Sequence, residues 1–317
     1  MKVGVVILNY NGWEDTLFCV ESVLASADAP TWIVIVDNAS VNDSVSKIRQ
    51  WAAGDFDSLV SKHPMITPCT KPITLIDDTS YYAEPDSSSY RKTVVLLQTP
   101  INKGYAAGNN LGLKFLMEQG VDAVWLLNND TIVDKFALGA MYQRLFSKNK
   151  PGLCGSLVCY MNTNLVQCRG GGRTNPWTSL SHLSGYKISV HKIHGEKPEE
   201  VENNLDFIYG ASVMVSRKFI ETVGLMDERY FLYCEEQDWA YSAKGKFDLA
   251  YAHDAVVYHK EGASTGFSNN TIKASALLLL VRSRLLLTLK HYPLRLPIVI
   301  CSMLFAAIRM FYRRLHL

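Results

Sequence analysis

The stretch VGVVILNYNGWEDTLFCVESVLASADAPTWIVIVDNAS, residues 3–40, decides the fold. Its two ends, VGVVIL at 3–8 and WIVIV at 32–36, are continuous apolar and mostly β-branched runs, the pattern of strands buried on both faces. Between them Trp13, Leu17, Val20 and Leu24 recur at helical spacing. This is a strand, helix, strand unit, and the rhythm continues: a polar helix at 42–52, a strand at 94–97 (VVLL), a helix at 107–118 with Ala107, Leu111 and Phe115 on one face, a strand at 123–127 and a helix at 135–147. Such alternation predicts an α/β fold with an open, mixed but mostly parallel sheet covered by helices.

Two stretches break the rhythm. Residues 57–92 carry Pro64, Pro68, Pro72 and Pro85 without a sustained period and read as an irregular insertion. Later, GSLVCYM at 155–161 and DFIYGASVMV at 206–215 read as strands separated by QCRGGGRTNPWTSLSHLSG, 167–185, which reads as a long Gly-rich loop. Within it Trp177 and His182 are candidates for stacking on an acceptor.

In 317 residues, 32 Lys plus Arg nearly balance 30 Asp plus Glu, and a net charge of +2 gives no reason to expect a nucleic-acid partner. The seven cysteines are scattered and lack CxxC spacing, which suits reduced thiols in a cytosolic protein better than a disulfide frame or zinc site. MKVGVVILNYNG has too short an apolar run for a signal peptide. From 274 onward apolar blocks are punctuated almost only by Arg, Lys and His; the run at 296–308 falls short of the roughly 20 residues a spanning helix needs. An interfacial helix on an anionic membrane surface is expected, the alternative being a helix pair packed on the domain itself.

Polar residues collect where the strands end. Asn9, Tyr10 and Asn11 follow the first strand, Asp37, Asn38, Ala39 and Ser40 the second, and Asn128, Asn129 and Asp130 the one at 123–127. In an open α/β sheet these ends share one crevice, so three segments could converge on a ligand; each taken singly is equally a turn with an Asn or Asp cap. No GxGxxG or GKS/GKT loop occurs, but NKGYAAGNNLG at 102–112 is a Gly-rich turn entering a helix, able to bring backbone amides, Asn109 and Asn110 to a ligand. The acidic trio Glu235, Glu236 and Asp238 precedes a helical pattern, where carboxylates either stabilise the positive helix end or raise one another's pKa into the range of a general base.

Taken in order, ILNYNG, VDNAS, NKGYAAGNN, LLNNDT, GASVMVSR, GLMDERYFLYCEEQDW and VVYHKEGAS resemble the inverting family 2 glycosyltransferases of GT-A fold, and within them the bacterial rhamnosyltransferase-like branch. The resemblance covers roughly residues 1–290 apart from the proline-rich insertion. It implies a nucleotide-sugar site bordered by Asn9, Asn11, Asp37, Asn38, Asn102, Gly104, Asn109, Asn128, Asn129, Asp130, Gly210 and Ala211. It further implies Mg²⁺ or Mn²⁺ on Asp130 and His259, and Glu236 as the base, with Glu235 and Asp238 as orienting or acceptor-binding neighbours and Asp238 the second choice of base. The triplet NND departs from an acidic DXD in its first position, and Ser242 stands where the branch often has a basic residue.

The expected organisation is therefore a GT-A catalytic domain over 1–270, with 57–92 inserted and 165–205 on the acceptor side, and a membrane-associated helical segment over 271–317. The partners implied are a nucleotide-sugar donor, best matched by dTDP-L-rhamnose, a lipid-linked glycan acceptor and the inner face of the cell membrane. UDP-galactofuranose, UDP-hexoses and UDP-N-acetylhexosamines fit the same kind of pocket. A noncatalytic nucleotide-sugar-binding protein is the other reading, and a sugar-phosphate nucleotidyltransferase lacks its expected basic Gly-rich N-terminal loop.

Overall fold

The computed structural model describes residues 1–56, 60, 63–77, 93–193, 195–260, 267–268, 271–272 and 274–315. Much of the 57–92 stretch, and the GAS of VVYHKEGAS, lie outside the described residues. One large mixed sheet runs β3-β4-β2-β1-β5-β12-β7-β13-β6, with β8 added beside β7. Its first half is parallel: β1 (Val3–Asn9), β2 (Trp32–Asp37), β3 (Thr74–Ile76), β4 (Thr93–Gln98) and β5 (Ala123–Asn128). Its second half reverses direction through β12 (Ser212–Ser216), which runs antiparallel to both β5 and β7 (Pro151–Tyr160). Parallel pairing resumes between β7 and β13 (Asp248–His259), and the short β6 (Thr131–Val133) closes the edge antiparallel to β13.

Alternation along the strands builds two cores. Val3, Val5 and Ile7 of β1, Ile33 and Ile35 of β2, and Trp125 and Leu127 of β5 face α1 (Trp13–Leu24), α2 (Ser44–Ala53) and α4 (Ala137–Phe146). Val6, Val34, Val36, Val124 and Leu126 face the other way, toward α3 (Tyr105–Glu118), α6 (Arg217–Val223) and α7 (Glu235–Ser242). With both faces covered, the parallel strands need no polar positions, which is why they read as unbroken apolar runs. Each such side chain contributes about 1.5–3 kcal/mol by leaving water. Helix α3 sits close on β1 because Gly112 lacks a side chain: a Cβ there would come within 2.7 Å of Val6.

The structure corrects two expectations. Residues 57–92 are not wholly irregular, since Thr74–Ile76 forms the edge strand β3, parallel to β4; with one partner and three residues it leaves no period to read. The stretch 167–185 is not a loop. It contains β8 (Val166–Arg169), β9 (Gly171–Asn175) and β10 (Leu180–Leu183), and β9 pairs with β10 and β11 (Phe207–Ile208) in a small second sheet. Its glycines allow close backbone approach, with a Cβ on Gly171 falling 1.8 Å from the Phe207 carbonyl oxygen, so the composition of a loop here serves tight strand packing. All seven cysteines are free.

The chain ends in α8 (Ala274–His291), a turn at 293–295, and α9 (Leu296–Leu315), after the short α5 (Pro198–Glu202) earlier in the chain. Among the described residues no helix is long and apolar enough to cross a membrane. Helix α8 packs on the domain through Ser283, Leu287 and Thr288, as the packed-pair alternative expects, whereas Leu294, Ile298, Leu304 and Phe305 lie open to solvent.

Gly104 at the entrance to α3 has φ +95°, and a Cβ there would lie 2.1 Å from the carbonyl oxygen of Phe231. Gly104→Ala is expected to destabilise the protein by more than about 1 kcal/mol, read as a lowered midpoint in urea, and by more than Gly120→Ala, which bears the left-handed strain of φ +70° but has nothing within 4 Å to clash with.

Candidate active site

The polar strand ends do meet, and much of their chemistry is spent on each other. Asn9 is fully buried; its Nδ2 donates to Asp37 Oδ1 at 2.7 Å and Ser40 Oγ at 3.1 Å, while its Oδ1 accepts from Thr16 Oγ1 at 2.8 Å and Gly12 N at 3.3 Å. Parallel register puts Asn9 directly beside Asp37. The Asp37 carboxylate also accepts from Ser40 N at 2.9 Å and Ser40 Oγ at 2.6 Å. Asn11, left-handed at φ 57°, accepts from Val41 N at 2.8 Å, clamping the 40–42 turn. Asn38 Nδ2 reaches Asn102 Oδ1 at 3.0 Å and the Gly104 carbonyl at 3.1 Å, tying the second strand end to the turn before α3. Asn129 Nδ2 donates to Thr16 Oγ1 at 3.1 Å and the Gly12 carbonyl at 3.2 Å. Asn128 binds through its backbone, its N–H to the Ala211 carbonyl at 3.1 Å and its carbonyl to Thr131 Oγ1 at 2.7 Å.

Asp130 is different. Antiparallel pairing of β6 with β13 sets His259 opposite Thr131, and His259 Nε2 then lies 3.0 Å from Asp130 Oδ1, both side chains buried. The other ring nitrogen, Nδ1, is 2.7 Å from Gln167 Oε1 on β8. The ring is thus held from both sides, by the Gln167 amide at Nδ1 and the Asp130 carboxylate at Nε2. Burial opposes the charged form of Asp130, but His259 and the nearby Lys260 outweigh it and hold the carboxyl below its ordinary pKa. Among the described residues no cluster of three or more His, Cys, Asp or Glu side chains forms a complete cage. One carboxylate and one imidazole suit a hard divalent ion that takes its remaining oxygens from a phosphate ligand and water.

Across the crevice, α7 opens with the acidic pair. Tyr233 and Cys234 before it both have left-handed backbones, at φ 72° and 68°, a strained approach of the kind that collects at functional sites. Burial drives both carboxyls up, and Glu235, which also feels Glu236, rises further. Glu235 Oε2 is buried without a partner, and the Glu236 carboxylate lies against Gly210, whose absent Cβ would be 3.5 Å from it. Gly210 is in turn held by Tyr105, whose hydroxyl donates to its carbonyl at 2.8 Å. The Tyr105 hydroxyl has its pKa raised, first by burial and then by Glu235, Glu236 and, more weakly, Asp130, so the two acidic centres lie within electrostatic reach of one side chain. Asn109 Nδ2 caps the Tyr105 carbonyl at 3.0 Å and leaves its buried Oδ1 unpartnered beside them.

Asp238, the second choice of base, is engaged elsewhere: Lys290 Nζ at 2.8 Å, His291 Nε2 at 2.7 Å and the Tyr230 hydroxyl at 3.3 Å saturate its carboxylate. Trp177 is half exposed with the Arg295 guanidinium over its ring at 4.6 Å, and His182 is exposed on β10. Two residues near the acidic centres escape a reading of the sequence. Gln167 sits in a stretch that reads as loop, and Tyr105 shows its role only once α3 meets Gly210.

Comparison with known structures settles the architecture. The protein superposes on GalNAc-T7 with UDP, GalNAc and Mn²⁺ at a TM-score of 0.59, with 13% identity, over 91% of this chain and 47% of that one. It also resembles S. aureus TarS 1–349 in complex with UDP-GlcNAc, at 0.52 and 11% identity over 94% of this chain and 70% of that one. The fold is the GT-A fold. Among curated sequences, the chain is similar to the low-salt glycan biosynthesis hexosyltransferase Agl10 of Haloferax volcanii, 23% identical over 244 residues, 76% of this chain and 61% of that protein. It is also similar to the dTDP-rhamnosyl transferase RfbF of Shigella flexneri, 20% identical over 174 residues, 53% of this chain and 52% of that protein. The chain thus spans between half and two thirds of the length of these relatives. No protein-family profile matches it.

The raised carboxyls of α7 fix a pH dependence of stability. Below the unfolded value of 4.5 both states hold their protons and the pair is neutral in its effect. As pH rises past that value the unfolded chain releases protons that the folded chain retains, so folding loses stability. Glu235→Gln, which removes the larger shift, is expected to match the wild type at pH 4 and exceed it at pH 8 in chemical unfolding; equal stability at both would show that Glu235 ionises freely.

Proposed function

We propose that the chain is a metal-assisted inverting glycosyltransferase that moves a sugar from a nucleoside-diphosphate donor to an acceptor hydroxyl. The observation that carries this reading is the buried Asp130–His259 pair together with buried Glu235 and half-buried Glu236, the latter against Gly210, with Tyr105 within electrostatic reach of both acidic centres. The similarity to two sugar transferases supports it. On this reading Asn9, Asn11, Asp37, Asn38, Asn102, Gly104 and Asn109 form the wall around the nucleotide, most of them by holding its loops rather than by free side chains. Asp130 and His259 hold Mg²⁺ or Mn²⁺, which, when bound, offsets charge on the departing diphosphate. Asn128 and Asn129 shape the approach to it, and Gly210 and Ala211 leave room for the sugar.

Glu236 takes the proton from the acceptor hydroxyl as that oxygen attacks the anomeric carbon. Burial suits it to this task, because a carboxylate whose pKa is raised is a stronger base near neutrality. Glu235, held up more strongly, stays protonated and can donate to a sugar oxygen. The base stands on α7, apart from Asp130 in the turn before β6 and His259 on β13; inversion in a single displacement needs the base and the departing diphosphate on opposite faces of the anomeric carbon. We take dTDP-L-rhamnose as the donor and a lipid-linked glycan as the acceptor, with the enzyme peripheral at the inner face of the cell membrane. The exposed apolar residues of α9, in a segment lacking acidic side chains, support contact with an anionic surface.

Glu236→Gln is expected to leave donor binding within about twofold of wild type while lowering transfer at least 10²-fold, a loss of about 2.7 kcal/mol in transition-state stabilisation. Calorimetry with dTDP and Mn²⁺ measures the first and nucleoside diphosphate release from a panel of nucleotide sugars the second; retained transfer would reject Glu236 as base. Asp130→Asn and His259→Ala should each weaken Mn²⁺ binding in the presence of dTDP, read by paramagnetic resonance of the free ion. Removal of residues 296–317 should abolish co-sedimentation with phosphatidylglycerol vesicles, and unchanged sedimentation would remove α9 from the membrane contact.

A further inference from the structure

Helix α8 touches the domain in a selective way. Ser283 Oγ donates to the Leu232 carbonyl at 2.8 Å and Arg282 to the Arg229 carbonyl at 2.7 Å. Lys290 Nζ bridges Asp227 at 3.0 Å and Asp238 at 2.8 Å, and His291 Nε2 meets Asp238 at 2.7 Å. These bonds grip the segment 227–238 on both sides of Glu235 and Glu236: the carbonyls lie in the approach to α7, and Asp238 lies one turn inside it. The remaining polar contacts of α8 fall on the tip between β9 and β10, with Arg284 donating to the Ser179 carbonyl at 3.2 Å and Thr288 sharing a hydroxyl bond with Ser179 at 2.6 Å.

Helix α7 has reason to need such a grip. It is eight residues long, its N-cap Cys234 makes no side-chain cap, and two left-handed non-glycine residues lead into it. Two turns contribute little helical stability of their own, and the left-handed approach is strained, so the conformation persists only where neighbours over-determine it. Leu287, packed with Tyr230 and Cys234, supplies apolar contact at the same place.

We propose that α8 is a latch that sets the position of the carboxylate pair, with Asp238, Lys290 and His291 as positioning residues for Glu236. This deepens the reading of Glu236 as base and rests on it. Asp238 then acts without touching substrate: it is the strut by which a helix some fifty residues downstream fixes the register of α7. The acidic trio of the sequence divides into two groups at the crevice and one that faces away from the chemistry into an ion pair.

The test uses the full chain carrying Lys290→Met together with His291→Gln. Donor turnover should fall about 10-fold to 10²-fold in kcat, the scale set by misplacement of a catalytic group by about 1 Å, with the donor KM and dTDP affinity within about twofold of wild type. Lys290→Arg, which keeps the bridge, should retain most of kcat. Hydrogen exchange should accelerate at amides 233–240 and at 178–179 but not in β1. Unchanged kcat and unchanged exchange overturn the latch, as does a parallel fall in donor affinity and exchange protection throughout the sheet, which marks general destabilisation. Should the double variant not fold, Ser283→Ala removes the Leu232 bond alone; faster exchange at 233–240 is expected, and none overturns the proposal. Glu236→Gln run beside them separates the two ideas: if it retains transfer the base assignment fails, and if it loses transfer while the latch variants keep theirs only the latch fails.

Discussion

A buried amide must be satisfied at both ends, and Asn9 meets that demand by joining three segments of chain. Its four hydrogen bonds fix the end of β1, the turn after β2 and the start of α1 to one another. Leaving one such group unpaired costs roughly 1–3 kcal/mol, so the loops around the crevice cannot open singly. Asn11, Asn38, Asn102 and Asn129 extend the same logic from loop to loop. The consequence is a sorting of the polar strand ends. Most are consumed in holding the cleft's shape, and the groups retaining open chemistry are few: Asp130 with His259, and the two glutamates of α7.

Legibility in the sequence follows the same division. The parallel half of the sheet is readable because its strands are covered on both sides, and residues 3–8 and 32–36 can therefore lack polar side chains until the strand ends. The small second sheet is not, since β10 exposes Leu180, Ser181 and His182 and β9 is rich in Gly, leaving neither an apolar run nor a clean alternation. Within the site, the motifs LLNNDT and VVYH are visible one by one. Their contact spans 129 residues of chain and arises from the register of β6 against β13, which local sequence does not encode. Gln167, which orients the imidazole, is hidden for the same reason. Asp238 shows the limit most plainly, because three carboxylates within four positions have one local chemistry. Lys290 and His291, far along the chain, give the last of them a different task.

The substitution of Asn128 for an acidic residue gains a physical meaning in this setting. Its backbone already serves Ala211 and Thr131, and a carboxylate at this half-buried position, two residues before Asp130, would add a second negative charge near the site. With one carboxylate and one imidazole, the protein alone presents little negative charge to a divalent ion. On the proposed reading the donor's diphosphate provides the rest, so ion and nucleotide raise each other's affinity by the same factor, as linkage requires. On that reading such a site would bind its metal more tightly with the donor diphosphate present than without it. Asn128 would then couple metal occupancy to the presence of substrate, while Gln167 and Asp130 hold the His259 ring from both sides.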